Sequence, residues 1–347
     1  VSLDAFRERI LQRAPLRIRG GGSKDFYGGP LVGDLLEVGA HRGLVSYEPS
    51  ELVVTARAGT PLAELEAVLA ERGQWLAFEP PGFGGAATLG GAVAAGLSGP
   101  GRARYGALRD FVLGAKVMDG EGRVLTFGGQ VMKNVAGFDV SRLLVGSLGT
   151  LGLLLEVSLK VLPRPVAQAT LRFQLPQGKS LELMNHWAGR PLPVTATSWE
   201  DHQLLARLAG AEAAVRSACT TLGGERVPEP EAAAHWSALA EQRLPFFAGD
   251  APLWRLSVPS TTVPLELPGE TFLEWGGAQR WLRGDRDPLA LRELARRAGG
   301  HATRFRGGDR AGAFTPLPAP LAVIHRRLKE AFDPHGVFNH GRLLPDL

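Results

Sequence analysis

Along the first 165 residues the apolar positions recur mostly in short runs of strand length, broken by glycine-rich stretches. LRIRG, DLLEV and ELVVTARAG read as strands, the last ending at Thr60-Pro61, an N-cap followed by a first-turn proline. The following segment, PLAELEAVLAERG, places Leu62, Leu65, Val68 and Leu69 on one helical face and stops at Gly73. An amphipathic helix is predicted for VSLDAFRERILQRA at the start. FVLGAKVMDGEGRVLTFG reads as a hairpin on a DGEG turn, followed by a short helix DVSRLLVGS and a strand LLLEVSLKVL. This is the pattern of a mixed sheet with long hairpins, without regular βαβ alternation.

A different alternation begins after the proline-marked segment VLPRPVAQ, which sets a boundary near 163–168. Strand ATLRFQL, helix SLELMNHWAG and strand PVTATSW are followed by two helices, AEAAVRSACTTLG and EAAAHWSALAEQ. Strands PLWRLSV and FLEWGGAQRWL come next, then helix DPLALRELARRAG and strand HATRFRG. The expectation is a compact antiparallel sheet covered by helices. PLAVIHRRLKEAFDPHGVFNHGRL reads as a helix and a turn-rich tail that leaves this unit again. The predicted division is 1–165, 166–315 and 316–347, in the α+β class.

Composition narrows the function classes. With 44% hydrophobic and 21% charged residues in 347, the chain has a full globular core. The formal charge is +4 and 33 of the 39 basic residues are Arg, but no basic run or aromatic-basic stripe points to nucleic acid. Cys219 is the sole cysteine, so the chain cannot close an internal disulfide or hold an iron–sulfur cluster on its own thiolates. It reads as a small apolar residue buried on its helix. No signal peptide is visible, and the least polar window, 84–99, is too short and glycine-rich to span a bilayer. A cytoplasmic protein is expected, with membrane contact peripheral at most.

Glycine carries the chemistry. Residues 1–152 hold 28 of the 45 glycines, gathered in RGGGSK, PPGFGGAATLGG, GLSGPGRARYG and VGSLGTLG. Such density suits main chain that must come close to a long, phosphate-bearing ligand, and a dinucleotide cofactor fits. RGGGSK matches neither the Walker A motif nor GxGxxG, and GSLGTLG precedes a strand where a Rossmann loop follows one.

The order of these strings resembles the FAD-binding domain of the vanillyl-alcohol oxidase family, and FDPHGVFNHGRL resembles that family's closing motif. Within it, QVMKNVAGFDVSRLLVGSLGTLG and the short length resemble the smaller, type E flavin-binding subunits of bacterial glycolate oxidases. The resemblance implies a two-subdomain PCMH-type FAD-binding domain with a smaller antiparallel-sheet cap. It implies that Arg19, Gly20, Gly21, Gly22, Ser23 and Lys24 meet the FAD pyrophosphate. Pro80, Pro81, Thr88, Gly90 and Gly91 would lie along the ribityl chain and flavin, with Gly99, Arg104, Tyr105 and Gly106 completing a ring-side pocket. Gly149, Thr150, Gly152 and Leu153 would hold the adenine side, and Asn339 and Gly341, flanking His340, would meet the isoalloxazine edge. RGGGSK lacks the histidine that some relatives use for covalent attachment, so FAD is expected to be non-covalent. The GDGN-type segment of the larger oxidase subunits is missing from 166–335.

Oxidising a 2-hydroxy acid at a flavin needs a base and a cation for the carboxylate. His301, Arg304 and Arg306 in GGHATRFRGGDR, and His340 in the tail, are the candidates. Strand alternation sets Arg304 and Arg306 on one face with Ala302, and His301 on the other. His335 and His340 have no carboxylates beside them, so no metal is expected; His186, His202 and His235 read as structural. The functional expectation is an FAD-binding subunit of a glycolate oxidase complex that oxidises glycolate or D-lactate. Its implied partners are a larger FAD-containing subunit and an iron–sulfur subunit. A non-catalytic scaffold or electron-relay subunit, and a stand-alone reductase of the UDP-N-acetylmuramate type, remain the alternatives.

Overall fold

A computed structural model describes residues 2–129, 139–267 and 269–347. The stretch 130–138, which carries the first part of QVMKNVAGFDVSRLLVGSLGTLG, lies outside them. Helix α1 (Leu3–Leu11) is capped by the Ser2 hydroxyl and buries Phe6 and Ile10. Strands β1 (Leu16–Arg19) and β2 (Asp34–Glu37) pair in parallel. Then come β3 (Leu44–Glu48), β4 (Val53–Arg57), α2 (Leu62–Ala70), β5 (Gln74–Trp75), α3 (Leu89–Ala95) and α4 (Arg102–Tyr105). The hairpin β6 (Val112–Met118) and β7 (Val124–Gly128) is followed by α5 (Val140–Leu143), β8 (Leu153–Lys160) and β9 (Leu162–Pro163).

Among the described residues five strands form one sheet in the order β3-β4-β8-β6-β7, antiparallel throughout. The mixed sheet expected from the sequence is therefore three sheets among the described residues, the third being the antiparallel pair β5-β9, and the strands that pair in parallel are β1 and β2. Strand β3 escaped the sequence reading because it lies at the sheet edge and buries no residue fully, so its apolar positions show no alternation. The expected Thr60 cap is also corrected. Its hydroxyl accepts from the Gly43 N–H at 2.9 Å, tying α2 to the β3 side of the sheet, and α2 has no side-chain cap.

The second half contributes β10 (Ala167–Gln174), α6 (Gln177–Ala188), β11 (Val194–Glu200), β12 (Gln203–Gly210), α7 (Glu212–Leu222), β13 (Glu225–Val227) and α8 (Glu229–Ala240). After these come β14 (Leu253–Ser257), β15 (Thr271–Glu274), β16 (Gln279–Arg283), α9 (Pro288–Arg297), β17 (His301–Arg306) and α10 (Ala319–Phe332). Among the described residues eight of these strands form an antiparallel sheet ordered β13-β10-β12-β11-β15-β16-β14-β17, with helices packed on it as expected. FLEWGGAQRWL, read as one strand, is two: Trp275 and Gly276 turn the chain at positive φ between β15 and β16. Strand β12 was missed because six consecutive residues, 204–209, are buried, which erases the alternation that marks a one-faced strand. Cys219 is half-buried on α7. No helix among the described residues is long and apolar enough to cross a membrane.

Polar contacts lock the two halves together. Arg207 on β12 donates from Nη1 and Nη2 to the two carboxylate oxygens of Glu79 at 2.7 and 3.0 Å, with its guanidinium over Trp236. Glu79 also accepts from the Gly101 N–H at 2.5 Å. Trp275 donates to the Gly99 carbonyl at 3.0 Å, and the Glu241 carboxylate accepts from the Gly82 N–H at 2.7 Å. Removing one member of a buried pair leaves the other charge without a partner. Arg207→Met should therefore lower unfolding stability by about 3 kcal/mol in urea titrations, and Arg207→Met combined with Glu79→Leu by less.

Candidate functional site

Strand β1 runs directly into RGGGSK, and the second and fourth glycine strings close in on it. The result is a cleft of about 780 Å³ lined by Arg19–Asp25, Thr88, Gly90, Gly91, Gly149, Gly152, Leu153 and Asn339. Its walls are main chain by necessity. A methyl on Gly21 would overlap the Ala86 carbonyl, one on Gly20 would overlap the Thr88 hydroxyl, and one on Gly90 would sit 2.7 Å from the Ala58 Cβ. Thr88 caps α3 by accepting from the Gly91 N–H at 3.2 Å, which fixes the second string against the first. Three cations line the cleft: Arg19, Lys24 and Arg342. Arg19 is held by Asp25 at 3.3 Å, while Lys24 lies 5.5 Å from the Phe83 ring centroid. Burial lowers the Lys24 pKa to about 8, with Glu241 opposing that shift.

The C-terminal tail completes the cleft from the far end of the sequence. The Lys329 ammonium, buried on α10, donates to the Thr150 carbonyl at 2.8 Å, the Phe338 carbonyl at 2.9 Å and the Asp333 carboxylate at 2.6 Å. Asp333 in turn accepts from the Val337 and Phe338 N–H groups at 2.9 and 2.8 Å, shaping the turn that presents Asn339. Asn339, at φ 44°, accepts from the Ile18 N–H at 2.8 Å and donates to the Leu148 carbonyl at 2.6 Å. One side chain thus joins β1 to the fourth glycine string. Arg342 donates to the carbonyls of Tyr27 and Gly29, both at 2.5 Å, and burial brings its pKa down to about 10.

Next to the cleft, past Phe83, lies a narrow crevice between the two halves of the chain, with room for about one water molecule. Pro81, Ser98 and Gly99 form one side; Arg255, Glu274 and Trp281 belong to the other. The Glu274 carboxyl is fully buried and accepts through Oε1 from Gln279 at 2.6 Å and from the Trp281 indole at 2.5 Å. Desolvation raises its pKa to about 7 against the pull of those two donors and of Arg255. Arg255 donates to the Tyr27 hydroxyl at 3.0 Å and stacks near the Tyr27 and Phe305 rings.

The structure gathers Arg19, Gly20, Gly21, Gly22, Ser23, Lys24, Thr88, Gly90, Gly91, Gly149, Gly152, Leu153 and Asn339 in the first cleft, and Pro81 and Gly99 in the narrow crevice. Thr150 is buried beneath the cleft, its hydroxyl donating to the Ser147 carbonyl at 2.8 Å. Pro80 and Tyr105 line separate crevices beside the Glu79–Arg207 pair, and Arg104, Gly106 and Gly341 line neither the cleft nor the narrow crevice.

The proposed bases and cation are apart from one another. His340 is exposed in the tail. Arg304 lies over Trp254, in the core under α9, and donates to the Asp309 carbonyl at 2.6 Å. His301 pairs with Ser257 at the exposed start of β17; partial desolvation and then the Arg255 charge lower its pKa. Sequence reasoning missed Arg255, Glu274 and Gln279. Their signal was a charged or amide residue inside an otherwise apolar strand (WRL, FLEW, AQRWL), which a core position tolerates only with partners. His235 has such a partner as well: Ser198 lies 2.9 Å from its Nε2, and burial holds its pKa at about 4.

Three comparisons bear on this geometry. The family described as "FAD binding domain" matches residues 7–128. The chain is 48% identical over 345 residues to the glycolate oxidase subunit GlcE of Escherichia coli (strain K12), covering 99% of this chain and 97% of that one. It is 32% identical over 163 residues to the glycolate oxidase subunit GlcD of Bacillus subtilis (strain 168), covering 46% of this chain and 34% of that one. Among solved structures, an alkyldihydroxyacetonephosphate synthase superposes with a TM-score of 0.68 at 15% identity, covering 99% of this chain and 75% of the other, which establishes a shared fold.

Asn339→Ala strands the Ile18 N–H and the Leu148 carbonyl, so a loss of about 2 kcal/mol or more is expected in chemical denaturation. Glu274 gives a pH signature. Its folded pKa, about 7, lies above the ordinary 4.5, so between those values the native chain keeps a proton that the unfolded chain releases, and stability falls as pH rises. Glu274→Gln should flatten that fall in denaturation midpoints measured across the interval.

Proposed function

Since the chain belongs to the family of the glycolate oxidase subunit GlcE, we propose that it is an FAD-binding subunit of a 2-hydroxy-acid oxidase complex acting on glycolate or D-lactate. The observation that carries this is the first cleft, where three glycine strings distant in sequence meet with their main chain exposed to one elongated space. A cradle that a Cβ would fill, with Lys24 and Arg19 at its glycine-rich end, fits a dinucleotide bearing a pyrophosphate. FAD is bound without a covalent link, because RGGGSK offers no histidine.

In this reading Gly20, Gly21, Gly22, Ser23 and Lys24 hold the phosphates, and Lys24 regains full protonation beside them. Thr88, Gly90 and Gly91 support the ribityl chain, while Gly149, Gly152 and Leu153 border the adenine side. Asn339 sets the spacing of the two walls. Bound FAD supplies the acceptor for the two electrons and hydrogen removed from the hydroxyl-bearing carbon. The functional division is 1–165 for cofactor binding, 166–315 as cap and 316–347 as the returning tail. Electrons leave through a larger flavoprotein subunit and an iron–sulfur subunit, since one cysteine cannot hold a cluster. The complex is cytoplasmic, peripheral to the membrane at most.

The purified chain should take up FAD and turn yellow. Gly21→Ala should weaken uptake roughly 100-fold, equivalent to about 2.8 kcal/mol, and lower the denaturation midpoint as well, because its methyl displaces the Ala86 main chain. A folded chain that stays colourless with added FAD, alone and with its partner subunits, would falsify the reading. Anaerobic glycolate should bleach the flavin of the assembled complex; bleaching of the isolated chain would locate the chemistry here.

A further inference from the structure

The third glycine string, GLSGPGRARYG, contributes no residue to the cofactor cleft. Its glycines instead fold it tightly against the seam between the two halves. A methyl on Gly99 would lie 2.4 Å from the Glu79 carbonyl oxygen, and one on Gly101 would lie 2.6 Å from the Glu79 carboxylate. The Gly99 carbonyl accepts from the Trp275 indole at 3.0 Å, the Gly101 N–H donates to Glu79, and the Tyr105 ring meets Trp75 edge-on at 5.5 Å. Just after α4, the Leu108 N–H donates to the Ser98 hydroxyl at 3.0 Å and the Ala107 N–H to Asp110 at 2.8 Å. This pinned turn leaves Arg102, Arg104 and Arg109 exposed. Among the described residues none of their guanidinium groups donates a hydrogen bond or pairs with a carboxylate. Arg102 covers one of its faces by stacking 4.4 Å over Trp275. Partial desolvation and then the charges of Arg255 and Arg109 lower its pKa, with Asp110 alone opposing.

Resting on the reading of the chain as one subunit of an oxidase complex, we infer that this arginine surface docks an acidic face of a partner subunit beside the cofactor cleft. Three unpaired guanidinium groups within residues 102–109, with Asp110 as the neighbouring carboxylate, leave an excess of positive charge that attracts an acidic surface. Each guanidinium presents a planar fork that carboxylates meet with two parallel hydrogen bonds. Arginine and tryptophan are also the residue types that dominate protein interfaces energetically. Since the turn is already held by Glu79, Ser98, Asp110 and Trp275, docking orders little further main chain, which lowers the cost of association. The patch is short and compact; a phosphate backbone calls for a longer basic stripe, so a protein face fits it better than nucleic acid. Ser98 and Gly99 of the same string line the crevice together with Phe83, whose ring faces Lys24 of the cleft. A partner seated on the arginines therefore lies next to the flavin site. The Escherichia coli relative is itself named as a subunit of a glycolate oxidase.

Interferometry of the full-length chain against the larger flavoprotein subunit and against the iron–sulfur subunit, across a salt series, tests this. Binding to at least one of them should weaken about tenfold or more between about 0.05 and about 0.3 M sodium chloride, because exposed charges are screened. Arg104→Glu combined with Arg109→Glu leaves Arg102 on Trp275 and breaks no hydrogen bond. It should weaken binding more than about tenfold and flatten the salt dependence. Arg190→Glu combined with Arg297→Glu changes net charge equally at exposed positions outside the patch, and should alter binding by less than about threefold. Circular dichroism and FAD uptake on the same samples report folding and the cofactor site. Equal loss in the two double variants would show net charge alone at work and overturn the inference. So would salt-independent binding, or a folded wild-type chain that binds neither subunit. A patch variant that keeps its affinity for both subunits but no longer binds duplex DNA or phosphatidylserine vesicles would overturn it in favour of that ligand. Patch-dependent subunit binding by a chain that takes up no FAD supports the docking surface and sinks the flavin reading alone.

Discussion

The whole site depends on glycine main chain lying directly against its neighbours. Gly20 and Gly21 touch Thr88 and Ala86, and Gly90 touches Ala58, with no space for a single methyl group between them. Interiors packed at crystal-like density tolerate such an approach only where one of the two surfaces carries no side chain. The glycines cost conformational entropy on folding, so their neighbours must hold them. Thr88 does so from the start of α3, and Asp25 does so by gripping Arg19 at the end of β1.

The tail is the second support. Lys329, Asp333 and Asn339 form a chain of charge-assisted and amide hydrogen bonds that ends on β1 and on the fourth glycine string. Every polar atom in that chain is buried or nearly so, and each is matched. A satisfied buried network of this kind defines one arrangement, because any slip leaves a donor or acceptor without a partner. The cleft width is therefore set by residues more than 300 positions apart, Ile18 and Asn339.

Where the two halves meet, polar groups are again enclosed by aromatic walls. Glu79 and Arg207 hold the halves in register, and Glu274 and Arg255 lie at the crevice that this docking creates. The raised pKa of Glu274 is a direct consequence of closure, since neither of its hydrogen-bond donors offsets the lost water. The cleft and the crevice beside it are thus adjacent but built differently: one largely from glycine main chain, the other from side chains of both halves.

Much of this was written in the sequence in a form that local physics can read. The glycine strings, the hairpin on DGEG and the one-faced helix from Leu62 follow from turn chemistry and short periodicities, which neighbouring residues determine among themselves. The edge strand β3 and the doubly covered β12 were hidden because burial on no face, or on both, removes alternation. The side-chain roles were the least legible. His301, Arg304 and His340 looked equivalent as candidates, yet Arg304 lies half-buried over Trp254 while His301 and His340 are at the surface. Arg255 and Glu274 looked like ordinary strand residues. Sequence determines which residues can sit on one face of an element; which faces then meet, and what water they exclude, is decided only when sheets pack and desolvation acts on groups far apart in the chain.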